Sequence, residues 1–321
     1  MHRYGNRYHR LPLRPGWRKG CEMSYRSATV PVVGGELFAG IWGSPDSETV
    51  ILAPHGITAN HTCWQPLAEL MPEAMIIAPD LRGRGRSNTV SEPFGLLQHA
   101  RDLESLLDFL GVEKAIVVGH SMGGFVSVRF AANFPDRVSA LVLVDGGLPL
   151  KRPSNVETAD LVSATLGPAA ERLAMVFSDR SDYQEFWKEH PAFRDDFNKY
   201  VSSYVDYDLT QTPEGLQPSG QIRAVEADIR ELFGEHEYLQ EMRSISVPSV
   251  FIRAPRGLLN DQALYDAGLN GHHADLIRDL RVVDLEDFNH YTIVLSKPGS
   301  GVVAREVNRL VSLSQSKQEA R

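Results

Sequence analysis

Cysteine and long apolar runs are scarce in this chain of 321 residues. Cys21 and Cys63 are the only cysteines, which excludes a disulfide framework and a cysteine-based metal cluster. No stretch has the eighteen consecutive apolar residues that a membrane helix needs, and the N-terminus lacks the apolar centre of a secretory signal. These absences predict a soluble, cytoplasmic protein without a membrane span.

Acidic residues are absent from the first 20 residues, which contain six arginines and lysines. The whole chain has a net charge of −8, so the residues after this basic segment carry −14. An acidic body argues against a nucleic-acid partner. The basic segment has no apolar periodicity, and we expect residues 1–22 to form a disordered tail, to which we assign no function.

Short apolar segments alternate with helical patterns along most of the chain. Residues 28–33 and 37–42 flank two glycines and predict an opening hairpin. Further strands are predicted at 49–54, 75–78, 115–118, 141–144, 250–252 and 282–283. Segments between them space their apolar residues as helices do. This alternation predicts an α/β fold, with a largely parallel sheet covered by helices on both faces.

The alternation is interrupted between residues 149 and 245. Apolar residues have helical spacing there, and eleven of the 27 aromatic residues of the chain lie in this interval. We expect a helical cap, inserted into a core formed by residues 23–148 and 246–321. Most of these aromatic side chains should form the core of the cap, while some should line a mostly apolar pocket.

One apolar strand runs through the pentapeptide Gly119-His120-Ser121-Met122-Gly123 into a helical pattern. This G-x-S-x-G sequence is typical of a nucleophile elbow, in which serine occupies the apex of a strained strand-to-helix turn. Ser121 is therefore the candidate nucleophile. The backbone N–H of Met122 lies at the start of the helix and is a candidate donor to an oxyanion. The alternative is a glycine-rich turn that carries an incidental serine.

Several motifs occur in an order that resembles the α/β-hydrolase fold superfamily. They are His55-Gly56, Pro79-Asp80-Leu81-Arg82-Gly83-Arg84-Gly85-Arg86-Ser87, the pentapeptide around Ser121, Phe134-Pro135-Asp136-Arg137-Val138 and Asp287-Phe288-Asn289-His290-Tyr291-Thr292. The resemblance spans residues 27–313. It implies an α/β-hydrolase fold with a mostly parallel central sheet and an inserted cap, and a catalytic acid between the serine and the histidine in the chain. It implies no particular substrate.

A serine hydroxyl needs a base to take its proton. The resemblance places this base at His290, in the loop before the last helix. His120 is expected to point away from the cleft, and His272 and His273 are expected on the surface. No histidine pair has a convincing ligand spacing, so no metal site is predicted.

Two carboxylates are candidates for the group that orients the histidine. Some relatives place this acid at the end of the strand after the elbow helix, which is Asp145 here. Most place it after the next strand, where Asp261 is the nearest acid downstream. Adjacent strand ends converge at the carboxyl edge of a sheet, which favours Asp145. Alternatively, Asp145 only holds the Gly146-Gly147 turn.

Together these residues predict a serine hydrolase for a small, largely apolar carboxylic ester or lactone. The backbone N–H groups of Ile57 and Met122 should form the oxyanion hole, and no cofactor is needed. Carbon–carbon bond hydrolysis, amide cleavage and cofactor-free peroxidation are alternatives that use the same side chains. A non-catalytic receptor for a small ligand is the alternative from another class. The sequence predicts neither the natural substrate nor the oligomeric state.

Overall fold

The computed structural model of the chain describes residues 24–153 and 161–319. The predicted basic tail lies outside these residues. The strands are β1 Tyr25–Val32, β2 Gly35–Trp42, β3 Val50–Leu52, β4 Met75–Pro79, β5 Ala115–His120, β6 Val138–Val144, β7 Leu209–Thr212, β8 Gly215–Pro218, β9 Ser249–Arg253 and β10 Arg281–Asp284. The helices are α1 Gln65–Leu70, α2 Leu96–Leu110, α3 Met122–Asn133, α4 Leu161–Leu166, α5 Pro168–Arg172, α6 Arg180–Glu189, α7 Lys199–Tyr207, α8 Ile222–Ile229, α9 His236–Ser244, α10 Thr292–Leu295 and α11 Lys297–Glu319.

Eight of the described strands form one sheet in the order β1-β2-β4-β3-β5-β6-β9-β10. β1 and β2 form the predicted hairpin, β2 pairs antiparallel with β4, and the other neighbours are parallel. β4, β5 and β9 are buried along their whole length, as strands covered on both faces must be. The predicted mostly parallel sheet is confirmed.

Helices cover both faces of this sheet. Successive residues of a strand face opposite sides, so Ile76 and Ile77 of β4 belong to different apolar clusters. Helices α2 and α3 pack on the side of Ile77, and α1 and α11 pack on the side of Ile76. The prediction that helices cover both faces of the sheet is confirmed as well. Within the two described ranges, no helix is long and apolar enough to cross a membrane.

Between β6 and β9 the chain leaves the large sheet. The described part of residues 149–245, called the cap segment below, contains α4 to α9 and the hairpin β7–β8. Its aromatic residues pack on one another: the Trp187 ring lies 6.2 Å from that of Tyr183 and 5.4 Å from that of Phe193, between centroids. The sequence pattern predicted only helices in this interval and missed the strands β7 and β8, although Pro213-Glu214-Gly215 at their junction is a turn signal.

The strand order gathers distant parts of the chain at one edge of the sheet. β3 and β5 are neighbours, although β4 lies between them in sequence. Such a reversal of strand order leaves a crevice at the carboxyl ends of the strands. Ile57 follows β3, Ser121 follows β5 and Asp145 follows β6, while His290 lies in the loop after β10. The four candidate residues are therefore carried by loops of the same edge.

Candidate active site

Ser121 occupies a strained turn between β5 and α3. Its φ is 55° and its ψ is −125°, a sparsely populated combination that costs a non-glycine residue about 1–3 kcal/mol. Hydrogen bonds hold the turn in place. The Ser121 N–H donates to the carbonyl of Val144 at 3.0 Å, and its own carbonyl accepts from the Gly124 N–H at 2.8 Å. The serine is thus fixed at the apex of the turn, at the carboxyl edge of the sheet.

Two glycines allow the neighbouring loops to approach this turn. A Cβ atom at Gly123 would lie 2.2 Å from the carbonyl oxygen of Pro54, after β3. A Cβ atom at Gly146 would lie 2.1 Å from the carbonyl oxygen of Ser121. Both distances are far shorter than van der Waals contact, so a side chain at either position would displace the backbone.

His290 is paired with Asp145. The Nδ1 atom of His290 lies 2.7 Å from Oδ2 of Asp145, and Oδ1 of the same carboxylate accepts from the backbone N–H of Ala254 at 3.0 Å. Both side chains are buried. Because a carboxylate accepts hydrogen bonds, Nδ1 carries the proton of a neutral imidazole, and Nε2 is left as the basic nitrogen.

Asp261 lies apart from this pair. It is exposed, and its backbone carbonyl accepts from the N–H of Gly257 at 3.2 Å. Among the described residues, no hydrogen bond or ion pair joins Asp261 to His290. The same part of the chain contains no group of three or more His, Cys, Asp or Glu side chains that could hold a metal ion.

Ser121 and His290 line one open cavity, whose empty space of about 660 Å³ includes the solvent at its mouth. Its walls are largely apolar. The cap segment contributes Leu150, Leu166, Ala169 and Leu232, and the core contributes Leu258 and Leu295. No Asp, Glu, Lys or Arg is present among the described residues that line it. The cavity therefore suits an uncharged, largely apolar ligand.

The loop after β3 lies directly against Ser121. Gly56 and Ile57 line the cavity, and a Cβ atom at Gly56 would lie 3.2 Å from that of Ser121. His55 holds the loop from behind: its Nδ1–H donates to the Gly56 carbonyl at 2.7 Å, while its Nε2 accepts from the N–H of Leu81 at 2.9 Å. Burial lowers the pKa of His55 to about 3, so the ring stays neutral and keeps this tautomer.

Two backbone N–H groups near the serine have no hydrogen-bond acceptor in the described part of the chain. Neither Ile57 nor Met122 donates a backbone hydrogen bond to another described residue. The N–H of Ile57 and the carbonyl of Gly56 belong to one peptide plane and point in opposite directions. Since His55 binds that carbonyl from one side, the N–H of Ile57 is directed to the other side. Donors of this kind can stabilise negative charge on a bound carbonyl oxygen.

The structure corrects the expectations for two histidines. His120 does not point away from the cleft: it lines the cavity, and its Nε2–H donates to the backbone carbonyl of His290 at 2.8 Å. Burial and the neighbouring His290 hold the pKa of His120 well below its ordinary value, so this ring stays neutral. His272 is buried rather than exposed, because its Nδ1–H donates to the carbonyl of Pro149 at 2.8 Å. His273 is exposed as expected.

Sequence reasoning did not anticipate the buried ion pairs around the site. Three buried arginines are each matched by one buried aspartate: Arg82 by Asp102, Arg84 by Asp228, and Arg172 by Asp208. A buried charge without such a partner would cost several kcal/mol, on the order of 3–5. The motif around Arg82 and Arg84 signals an ordered loop, but the partners are distant in sequence and no local pattern identifies them.

Comparison with known proteins agrees with this architecture. A family model described as the alpha/beta hydrolase fold matches residues 49–243, and the chain belongs to this family. Lipase LipV of Mycobacterium tuberculosis is 39% identical over 131 residues, which are 40% of this chain and 50% of the lipase. The chain therefore aligns with half the length of that curated relative.

Solved structures share the fold at low identity. E-2-(acetamidomethylene)succinate hydrolase has a TM-score of 0.72 and 21% identity, covering 90% of this chain and 100% of that one. The thioesterase domain from the curacin biosynthetic pathway has a TM-score of 0.69 and 19% identity, covering 88% of this chain and 99% of that one. Similarities of this order establish the fold and leave the substrate open.

Proposed function

We propose that this chain is a serine hydrolase that cleaves a carboxylic ester or lactone of a small, largely apolar substrate. One observation carries the proposal: the strained Ser121 and the buried His290–Asp145 pair meet at a single apolar cavity. Backbone strain lowers stability and persists where the surrounding structure enforces it, which is common at active sites.

In the proposed reaction, His290 Nε2 takes the proton of Ser121 as the serine oxygen attacks the carbonyl carbon. Asp145 keeps Nδ1–H in place and balances the charge of the imidazolium. The backbone N–H groups of Ile57 and Met122 donate to the oxyanion. When the tetrahedral intermediate collapses, His290 protonates the leaving alcohol and the acyl group stays on Ser121.

The second half of the reaction removes this acyl group. His290 takes a proton from a water molecule, whose oxygen attacks the acyl carbonyl carbon. Collapse of the second tetrahedral intermediate returns the proton to the Ser121 oxygen and releases a carboxylic acid. For a lactone, the acid and the alcohol leave as one hydroxy acid. The chain supplies every proton-transfer group that this cycle requires.

We also propose that residues 149–245 form a cap over the site, joined to a core of residues 23–148 and 246–321. Leu150, Leu166, Ala169 and Leu232 of the cap segment line the cavity that contains Ser121. Apolar side chains at these positions favour an apolar acyl or alcohol group. One curated relative is named a lipase and one structural neighbour a thioesterase, which agrees with acyl-ester chemistry.

A substrate panel tests the proposal. Short-chain p-nitrophenyl esters, lactones and amides are incubated with the full chain and, as the control, with Ser121→Ala. We expect acid and alcohol from esters or hydroxy acid from lactones with the wild type, and none with the variant. Turnover confined to amides, or to carbon–carbon substrates in an extended panel, would replace the ester assignment. Tight binding without any product would favour a non-catalytic receptor.

A further inference from the structure

Three successive backbone carbonyls in the loop after β3, those of residues 56–58, are each held by a different side chain. The Nδ1–H of His55 donates to the first at 2.7 Å, Nε–H of Arg84 to the second at 2.8 Å, and Nη2–H of Arg172 to the third at a longer 3.4 Å. His55 belongs to this loop, whereas the cations of Arg84 and Arg172 bind two of its carbonyl groups from other segments of the chain.

Arg84 has the most central position of the three. Besides binding the carbonyl of Ile57, its Nη1 lies 2.6 Å from Oδ2 of Asp228, and its Nη2 lies 3.9 Å from the sulfur of Met122. Nη1 also donates to the backbone carbonyl of Arg82 at 2.9 Å. One buried guanidinium thus touches both residues whose N–H groups are the proposed oxyanion donors, and it joins them to helix α8 of the cap segment.

Asp228 is itself firmly placed. Its carboxylate accepts from the backbone N–H of Gly95 at 2.9 Å and is bonded to Nε2 of His99 at 3.0 Å, both at the start of α2. Burial raises the pKa of Asp228, but the stronger combined effect of His99 and Arg84 lowers it below its ordinary value. The carboxylate is therefore charged and anchors Arg84 from the cap side.

We propose that Arg84 is a positioning residue of the oxyanion hole, which transmits the position of the cap segment, through Asp228, to the loop that bears Ile57. This proposal rests on the proposed function. Without the guanidinium, the Ile57 carbonyl loses its only described side-chain donor and the loop can rotate away from the oxyanion. The apolar contacts that bind the substrate are left in place. A defect in kcat, with KM nearly unchanged, is the expected signature.

Arg82 provides a matched control. It lies two residues earlier in the same loop, is equally buried, and binds Asp102 through two hydrogen bonds of 2.8 Å. Its other side-chain bonds go to the carbonyls of Val33 and Ser91. None of these contacts reaches the loop of residues 56–58 or the cap segment. Loss of Arg82 should cost stability without moving the oxyanion donors.

The test compares Arg84→Met, Arg84→Lys, Asp228→Asn and Arg82→Met in the full chain. For each variant, kcat and KM are measured on the best ester, and so is inhibition by a boronic acid, whose serine adduct mimics the tetrahedral intermediate. Arg84→Met should lower kcat by about 10- to 100-fold and raise the inhibition constant of the boronic acid by a similar factor. KM should change by less than about threefold.

The other variants give graded expectations. Arg84→Lys keeps the charge and should recover part of the lost kcat, while Asp228→Asn should lower kcat less than Arg84→Met does, because the bond to the Ile57 carbonyl remains. Arg82→Met should lower the melting temperature and keep kcat within about threefold of the wild type. Circular dichroism shows which variants are folded.

Two results would overturn the proposal. The first is a folded Arg84→Met with kcat and boronic acid inhibition like those of the wild type. The second is an Arg82→Met variant that loses as much kcat and boronic acid inhibition as Arg84→Met does. If Arg84→Met does not fold, Arg84→Lys and Asp228→Asn are judged by the same criteria. Failure of the proposed function is recognised separately, because a wild type that turns over no ester and is not labelled at Ser121 by a fluorophosphonate would overturn both proposals.

Discussion

Asp145 and His290 lie 145 positions apart in the chain, yet Oδ2 of the aspartate is 2.7 Å from Nδ1 of the histidine. The pair joins the turn after β6 to the loop after β10, and the backbone N–H of Ala254 after β9 fixes the second carboxylate oxygen at 3.0 Å. Three strand ends therefore determine the orientation of one imidazole. This rigidity is what a base needs if Nε2 is to face the serine before the substrate arrives.

Replacement of Asp145 by asparagine is predicted to disable the enzyme. The amide keeps the shape of the carboxylate but cannot balance an imidazolium, so kcat should fall by about 10⁴, a barrier increase of about 5 kcal/mol. Asp261→Asn, at an exposed position, should stay within about tenfold of the wild type. Ester kinetics and melting curves of both variants test this. An active Asp145→Asn beside a folded, inactive Asp261→Asn would contradict it.

The absence of charged side chains from the described cavity walls predicts selection against charged acyl groups. A carboxylate buried there would find no Lys or Arg partner among the described lining residues, so we expect kcat/KM for p-nitrophenyl hemiglutarate to be at least about 100-fold below that for p-nitrophenyl pentanoate. The two acyl chains have the same number of carbon atoms, which makes charge the main difference. Equal values, or a preference for the hemiglutarate, would refute this view of the pocket.

Gly146 is predicted to be indispensable to the turn that supports Ser121. An added Cβ would lie 2.1 Å from the Ser121 carbonyl oxygen, so Gly146→Ala should destabilise the fold by about 3 kcal/mol and lower kcat by about 100-fold through displacement of the serine. Gly301→Ala is the control, since it lies in α11 with only the end of Arg305 within 4.0 Å. It should stabilise the chain by about 0.5–1 kcal/mol.

Urea unfolding and ester kinetics measure both effects. A Gly146→Ala variant as stable and active as the wild type would show that the turn has room for a side chain. A destabilised Gly301→Ala would instead show that helix α11 does not tolerate alanine at this position.

Buried histidines predict a loss of stability in mild acid. Burial lowers the pKa of His55 to about 3, and burial together with Arg172 lowers that of His190 to about 4. An unfolded histidine titrates near about 6.5. Between that pH and the folded pKa the unfolded state binds more protons, so the free energy of unfolding falls as the pH falls. Each histidine contributes at most about 1.4 kcal/mol per pH unit.

Urea unfolding between about pH 7 and pH 5 measures this slope. Nδ1 of His190 accepts a hydrogen bond from the backbone N–H of Ala192 at 3.2 Å. The variant His190→Asn retains a side-chain acceptor for this N–H but cannot titrate. It should therefore make the slope of the unfolding free energy against pH shallower. An unchanged slope in this variant would show that His190 does not resist protonation in the folded state.

Local sequence patterns predicted much of the fold and identified Ser121 as the candidate nucleophile. Strand and helix periodicities identified the parallel sheet, because the strands are buried on both faces and read as short apolar runs. The elbow was recognisable because its requirements are local: Ser121 needs small neighbours on both sides, and Gly119 and Gly123 provide them. The hairpin β7–β8 was not predicted, because each of its strands has only four residues, too few for a clear periodicity.

Contacts between residues that are distant in sequence could not be predicted from such local patterns. Asp145 and Asp261 both follow strands of the sheet, and only the folded arrangement shows which of them lies next to His290. The partner of Arg84 is a residue of the cap segment, which no pattern around Arg84 reveals. His272 has polar neighbours in the sequence, but it is buried, and its Nδ1–H donates a hydrogen bond to a carbonyl of a distant segment.

The most direct test of the central proposal is the site of covalent labelling by a fluorophosphonate, which reacts with activated serine hydroxyls. The wild type and Ser121→Ala are treated alike, and the modified peptide is identified by mass spectrometry. We predict one adduct, on Ser121, together with loss of ester turnover, and a Ser121→Ala variant that is unlabelled and slower by up to about 10⁶-fold in kcat. Labelling at another residue, or normal ester turnover by folded Ser121→Ala, would contradict Ser121 as the nucleophile.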